Sequence, residues 1–325
     1  MTGLARIVDR FEDVTVRDLA WLLFAPDLLR ADRAGMPLAH PFADDTARDA
    51  ALTWLHALDA MPDALHARVR NPKSTRLGIY AESLLEFFLA NGPSLRLLAA
   101  NVPLRQGKRT IGECDFLLES NDGARLHWEL AVKFYLHIGD GVRQAARLSD
   151  YVGPNLQDRF DVKHARLLTH QMSMTTRPEF DALDLAGPWR AQLYMKGRLF
   201  YHDAHTEPAP ELGGDHLRGW WMTASEWRAS HDVTTRREQK RAWVVQPRMA
   251  WLASRSIDAK DAERLIDDAP LLSARLAESV LPTMVAVYQR DGDENRWSEE
   301  SRGFIVPDDW PERARAYAAA ALTTT

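Results

Sequence analysis

One stretch, residues 110–139, "TIGECDFLLESNDGARLHWELAVKFYLHIG", constrains the fold more than any other part of the chain. Two runs rich in aromatic and branched side chains flank Asn121-Asp122-Gly123, so the pattern predicts a β-hairpin with a tight turn. Side chains alternate across a strand. In "HWELAVKFY", Trp128, Leu130, Val132 and Phe134 therefore share one face, and Glu129, Ala131, Lys133 and Tyr135 share the other. In "IGECDFLL", Glu113, Asp115 and Leu117 lie opposite Cys114 and Phe116. One face of the hairpin is apolar enough to pack on helices, while the other carries three carboxylates and a lysine.

With strands ~4.8 Å apart, Asp115 and Glu129 can converge on one point. Like charges held that close raise each other's pKa unless a cation neutralises them. A hard divalent ion with oxygen ligands meets that need, and Mg²⁺ or Mn²⁺ suits such a site. Lys133 would then orient a water or stabilise charge at a phosphate. A solvated sheet face with ordinary surface ion pairs explains the same letters. The residues alone leave both readings open.

The flanking pattern predicts an α/β protein in three segments. Residues 1–75 read as an N-terminal helical segment, with apolar residues at three- and four-residue spacing in "VTVRDLAWLLFAPDLL" and "DDTARDAALTWLHALDAMPDAL". Residues 76–203 form the core. It opens with the helix "LGIYAESLLEFFLANG", which buries Leu77, Tyr80, Leu84, Phe87 and Phe88 and stops at Asn91-Gly92. The strands "LRLLAANVPL", "RTIGECDFLLE" and "RLHWELAVKFYLHI" follow, then the helix "NLQDRFDVKHARLLTHQMSM" and the strand "RAQLYMKGRLFYHD". Residues 204–325 are a mixed elaboration packed on the core. It has a helix around 258–268 and an Ala-rich last helix, which the carboxylates of "PDDWP" look placed to cap.

The order helix, three strands, helix, strand, together with Glu113-x-Asp115, Glu129 and a nearby lysine, resembles the PD-(D/E)XK phosphodiesterase core. The resemblance implies Mg²⁺-binding carboxylates, with Asp115 and Glu129 as ligands, and hydrolysis of a nucleic-acid phosphodiester. Glu82, on the preceding helix, matches the extra acidic residue that many members place there. Glu113 matches a supporting acid, and Gln171 resembles a glutamine that some members carry on the second helix. The pattern puts lysine at position 131, which here is Ala131. Glu129 and Lys133 are instead four positions apart, ~13 Å between Cα atoms on a regular strand against ~7 Å for the usual spacing.

The chain as a whole resembles a bacterial family known as domain of unknown function 1853. The stretches "GIYAESLLEFFL", "TIGECDFLL", "HWELAVKFYL", "GPNLQDRFDVKHARLLTHQ", "MKGRLFY", "GWW" and "RGFIVPDDWP" carry the resemblance. It implies no activity.

Two further features point to nucleic acid. Helical spacing puts Lys163 near the strands, where it could stand in for the displaced lysine or contact phosphate. In "TTRREQKRAWVVQPRMAW", Arg236, Arg237, Lys240 and Arg241 interleave with tryptophans, as suits stacked bases and phosphates. A solvated helix face explains that composition equally. The net charge of −5 argues against a generic nucleic-acid coat protein but not against a nucleic-acid enzyme.

The lone Cys114 cannot form an internal disulfide, and no apolar window reaches the ~18 residues of a membrane span. A cytoplasmic location is expected. No phosphate loop, dinucleotide fingerprint or G-x-S-x-G elbow is present. The expectation is a Mg²⁺- or Mn²⁺-dependent nuclease acting on DNA or RNA, with Asp115, Glu129, Lys133 and Glu113 as its working residues. A catalytically inactive relative that binds nucleic acid or a protein partner is the alternative.

Overall fold

The computed structural model describes residues 3–70, 76–139, 146–185, 187–230, 241–277, 279–290 and 296–320. The chain forms two compact units that interleave along the sequence. The first takes residues 1–133, 163–197 and 211–216, and the second takes 134–162, 198–210 and 217–325. Both mix helices and strands. No helix among the described residues is long and apolar enough to cross a membrane.

In order, the elements to the end of the long core strand are α1 (Gly3–Val8), α2 (Val14–Phe24), α3 (Asp45–Ala60), α4 (Asp63–Val69), α5 (Leu77–Asn91), β1 (Arg96–Gln106), β2 (Arg109–Glu119), β3 (Arg125–His137), β4 (Tyr151–Val152), α6 (Phe160–Thr169), α7 (Pro178–Asp181) and β5 (Trp189–Tyr201). The expected order of helix, three strands, helix and strand is present, with β4 and α7 as short additions.

The first unit sets helices against the sheet through specific polar contacts. Asp13 caps α2 by accepting the amides of Thr15 and Val16 at 2.9 and 3.0 Å. The helix then buries Val16, Leu19, Leu22 and Trp21. Tyr194 on β5 donates to the Leu22 carbonyl, and the buried Lys196 donates to the Ala25 carbonyl and to Asp27, both at 2.8 Å. Tyr80 on α5 donates to Asp18 on α2. Helix α5 ends at Gly92 as expected, but for a different reason. Its φ of −82° is open to any residue, whereas a side chain there would lie 2.7 Å from the Phe88 ring and carbonyl.

Strands β1, β2, β3 and β5 are neighbours in that order, with β1 at the edge. The first two pair antiparallel along most of their length. The β2–β3 turn forms at Asn121-Asp122-Gly123 as predicted, with Gly123 at φ 84°. Gly197 on β5 permits a close approach, since any Cβ there would run into the carbonyl oxygen of Lys133 on β3.

The second unit carries the end of β5, then β6 (Leu217–Thr223), α8 (Ala224–Ser230), β7 (Arg241–Val245), β8 (Ser256–Asp258), α9 (Ala269–Ala277), β9 (Thr283–Arg290), β10 (Arg296–Val306) and α10 (Trp310–Ala320). Strand β6 runs parallel to both β5 and β10, and β9 pairs antiparallel with β10 and β7.

Three expectations need correction. The helix read over "NLQDRFDVKHARLLTHQMSM" begins only at Phe160, because Leu156 sits at φ 55° and the Gly153 amide closes a loop onto the Asp158 carbonyl. The segment 258–268 is not an α-helix. A short strand and a 3-10 turn, Ala259–Arg264, occupy it, and α9 starts at Ala269. Asp308 caps α8 rather than the last helix, accepting both the amide and the hydroxyl of Ser225.

The contact at Gly197 gives the first prediction. Gly197→Ala should destabilise the protein by ~1–3 kcal/mol or more through overpacking against the Lys133 backbone. The measurement is the midpoint of urea unfolding, and an unchanged midpoint would contradict the packing described.

Candidate functional site

The β2–β3 ladder runs from Glu119↔Arg125 to Phe116↔Trp128. One residue further on, the backbone pairing gives way to side-chain bonds. The Leu130 amide donates to Asp115 Oδ2 at 2.9 Å, and the Asp115 amide reaches Glu129 Oε1 over a long 3.4 Å. On the other flank the β1–β2 ladder also skips this level. Its register passes from Ala100↔Phe116 to Val102↔Cys114, and the intervening Asn101 has φ 53°. Asp115 therefore lies at the end of the β2–β3 pairing and opposite one skipped pair of the β1–β2 ladder, whose register is unchanged, and its carboxylate accepts the Leu130 amide.

Glu129 is fully buried, on a strand face that also buries His127 and Ala131. That excludes the solvated-face reading for Glu129. Its carboxylate is held from both ends: His127 Nε2 bonds Oε1 at 2.8 Å and Gln171 Nε2 donates to Oε2 at 2.7 Å. The buried Nδ1 of His127 and Oε1 of Gln171 have no partner among the described residues. Gln171 comes from the 3-10 turn Gln171–Thr176 that follows α6 and packs on β2.

Burial and the neighbouring charge of Glu129, with smaller contributions from Glu82 and Glu113, push the Asp115 carboxyl from its ordinary 3.8 up to about 8, against the Leu130 amide, which pulls it down. Glu82, on the α5 face toward the strands, is also raised, by burial first and then by Glu113, Glu129 and Glu86. Glu86, one turn along α5, is paired with Arg68 at 2.5 Å. Cys114 is a buried thiol pushed up to about 12 by burial and the same carboxylates, so it is no nucleophile at neutral pH.

The structure thus brings together Glu82, Glu113, Asp115, Glu129 and Gln171. Glu113 is exposed, and Lys133 is half-buried four residues along β3 from Glu129. Lys163 is half-buried on α6. Arg236, Arg237 and Lys240 lie outside the described residues. Arg241, on β7 of the second unit, bonds Glu300 at 2.8 Å. Sequence reasoning missed His127. Its one available signal was position, two residues before Glu129 and so on the same strand face. Among the described residues no group of three or more His, Cys, Asp or Glu side chains is arranged to hold a metal ion.

A family model described as a domain of unknown function, DUF1853, matches residues 17–306. The chain belongs to the DUF1853 family. The match takes in α5, β1 to β3, α6 and the turn carrying Gln171, so every residue of the carboxylate cluster falls inside the DUF1853 region. Comparison with curated proteins and with solved structures gave no match.

The raised Asp115 carboxyl sets a pH dependence. Between 3.8 and about 8 the native protein keeps a proton that the unfolded chain has released, so raising the pH removes stability. Asp115→Asn abolishes this. In metal-free buffer the variant should gain on the wild type as pH rises from about 4 to about 8, shifting Tm by roughly 2–4 °C for each kcal/mol. A Tm difference that stays constant over this range would remove the basis for a half-buried, crowded Asp115.

Proposed function

We propose that the first unit is a PD-(D/E)XK-type nuclease, a Mg²⁺- or Mn²⁺-dependent hydrolase of DNA or RNA phosphodiesters. The observation that carries this reading is the Asp115 carboxylate. It is held where the β2–β3 pairing breaks off, beside three glutamates, with the Leu130 amide as its one hydrogen-bond partner among the described residues and an affinity for protons raised by burial and by those charges. Crowding carboxylates out of water costs several kcal/mol unless a cation joins them, and perturbed carboxyls of this kind cluster at functional sites.

Asp115 and Glu129 are the proposed ligands, with Glu82 and Glu113 adding negative charge around them. A two-carboxylate site suits Mg²⁺, which keeps several waters and takes its remaining ligands from substrate phosphate rather than from a closed protein cage. The bound ion would supply Lewis acidity at the phosphoryl oxygen and a more acidic water. His127 and Gln171 fix the orientation of Glu129, and Gln171 crosses from the turn after α6 to do so. Lys133 is assigned to position water near the phosphate, and Lys163 to contact the substrate backbone.

A second reading rests on β3 itself. The buried Ala131 occupies the position where the superfamily pattern puts lysine, and the backbone at Lys133 is packed against Gly197. An inactive relative that keeps the binding site without the chemistry would look like this.

One experiment separates the two. Melting curves with and without Mn²⁺ are recorded for wild type and Asp115→Asn, alongside cleavage of single- and double-stranded DNA and RNA. The nuclease reading expects metal to stabilise the wild type, by ~2.7 kcal/mol at a hundredfold excess over Kd, and both stabilisation and cleavage to vanish in the variant. No thermal shift up to millimolar metal would overturn the metal site. A shift without cleavage would establish the inactive relative.

A further inference from the structure

The hairpin that carries Asp115 ends in a cluster of positive charge that no carboxylate among the described residues neutralises. Arg105, Lys108 and Arg109 surround the β1–β2 turn, all exposed, and none has an ion pair or side-chain hydrogen bond among the described residues. The base of the same hairpin is different. There Arg96 and Arg125 both bond Glu119, at 2.6 and 2.9 Å. Glu179 comes near the tip, but Gln106 takes it, at 3.1 Å.

The tip is also a supported arm. Strand β3 pairs with β2 only from Phe116 onward, so the outer half of the hairpin extends beyond it. In place of β3, α7 packs on β1 and the 3-10 turn after α6 packs on β2. Met174 from that turn closes over Gly112, where a side chain would collide with its sulfur, and Leu104, Cys114, Met174 and Phe180 form a buried cluster beneath. A backbone held this way keeps its end charges at a fixed reach. Arg109 lies six residues from Asp115, ~20 Å along a regular strand.

Resting on the nuclease reading above, we propose that the β1–β2 tip binds the phosphate backbone of a nucleic acid away from the scissile bond, through Arg105, Lys108 and Arg109. Three cations without carboxylate partners complement a polyanion, and their reach of ~20 Å covers about six nucleotide steps of a duplex at 3.4 Å each. A trinucleotide would then be too short to engage both ends, so the substrate is a longer strand or duplex. Charged residues on an edge strand also deter sheet-to-sheet association, and the test separates that role.

The experiment measures binding of labelled single-stranded and duplex oligonucleotides, DNA and RNA, in EDTA across a salt series. The proteins are wild type and the triple variant Arg105→Ala, Lys108→Ala, Arg109→Ala. A second triple variant, with glutamine at all three positions, guards against loss of the hairpin, and Tm of each is taken first. Loss of three phosphate contacts should lower the log–log salt slope by between about two and three and weaken binding at least tenfold at low salt. Whichever of the four oligonucleotides shows the drop identifies the substrate backbone.

Two outcomes would overturn the proposal: a wild type that binds none of them, or folded triple variants with unchanged affinity and slope. Triple variants that bind normally but self-associate would assign the charges to edge protection instead. The Mn²⁺ melting shift of the triple variants keeps the readouts apart. It survives if only the tip assignment fails, and it is missing in the wild type as well if the metal site on which the nuclease reading rests fails.

Discussion

The amide of Leu130 donates to the carboxylate of Asp115 at the level where β2 and β3 cease to pair, and the rest of the first unit is arranged around that junction. A regular sheet would place a backbone carbonyl there. Using a carboxylate instead opens the ladder and imports a charge. On the opposite flank the β1–β2 ladder skips the level of Asn101, whose φ is 53°, without a change of register. Glu82 from α5, Glu113 from β2 and Glu129 from β3 then surround the Asp115 carboxylate.

The two central acids are treated differently by their surroundings. Glu129 has no exposure, yet both of its oxygens are hydrogen-bonded by side chains from separate elements, so its burial is matched by partners. Among the described residues Asp115 has the Leu130 amide alone, and that is too little to offset desolvation and three neighbouring carboxylates. A fold built only for stability would replace such a residue, because a half-buried carboxylate crowded by like charges is destabilising. Its presence is what gives the cluster a demand for a proton or a cation.

Much of this was legible in the letters. Strand β2 has the bounds that alternation predicts, and the turn at Asn121-Asp122-Gly123 is where its composition puts it. Asp115 and Glu129 could be grouped because strand periodicity fixes which residues share a face, and Glu82 joined them only through the resemblance. Burial is not periodic, and there the reading ran out. His127 looks like any polar strand residue until helices and turns cover it. Gln171 was read as helical, but α6 ends at Thr169 and the residue reaches Glu129 from a 3-10 turn. The same limit applies to Asp308, whose partner Ser225 is far away in sequence. Sequence reasoning assigns caps to the nearest helix, and tertiary packing assigned this one to another.

The central claim is that Asp115 is a half-buried carboxylate crowded by three others, whose charge needs a partner. Its most direct test is the titration of the Asp115 carboxyl carbon by NMR in protein labelled at aspartate, assigned by its loss in Asp115→Asn, with and without Mg²⁺. The account predicts a midpoint near 8 without metal, displaced well toward acid when Mg²⁺ is present. A midpoint near the ordinary 3.8, unmoved by Mg²⁺, would contradict it.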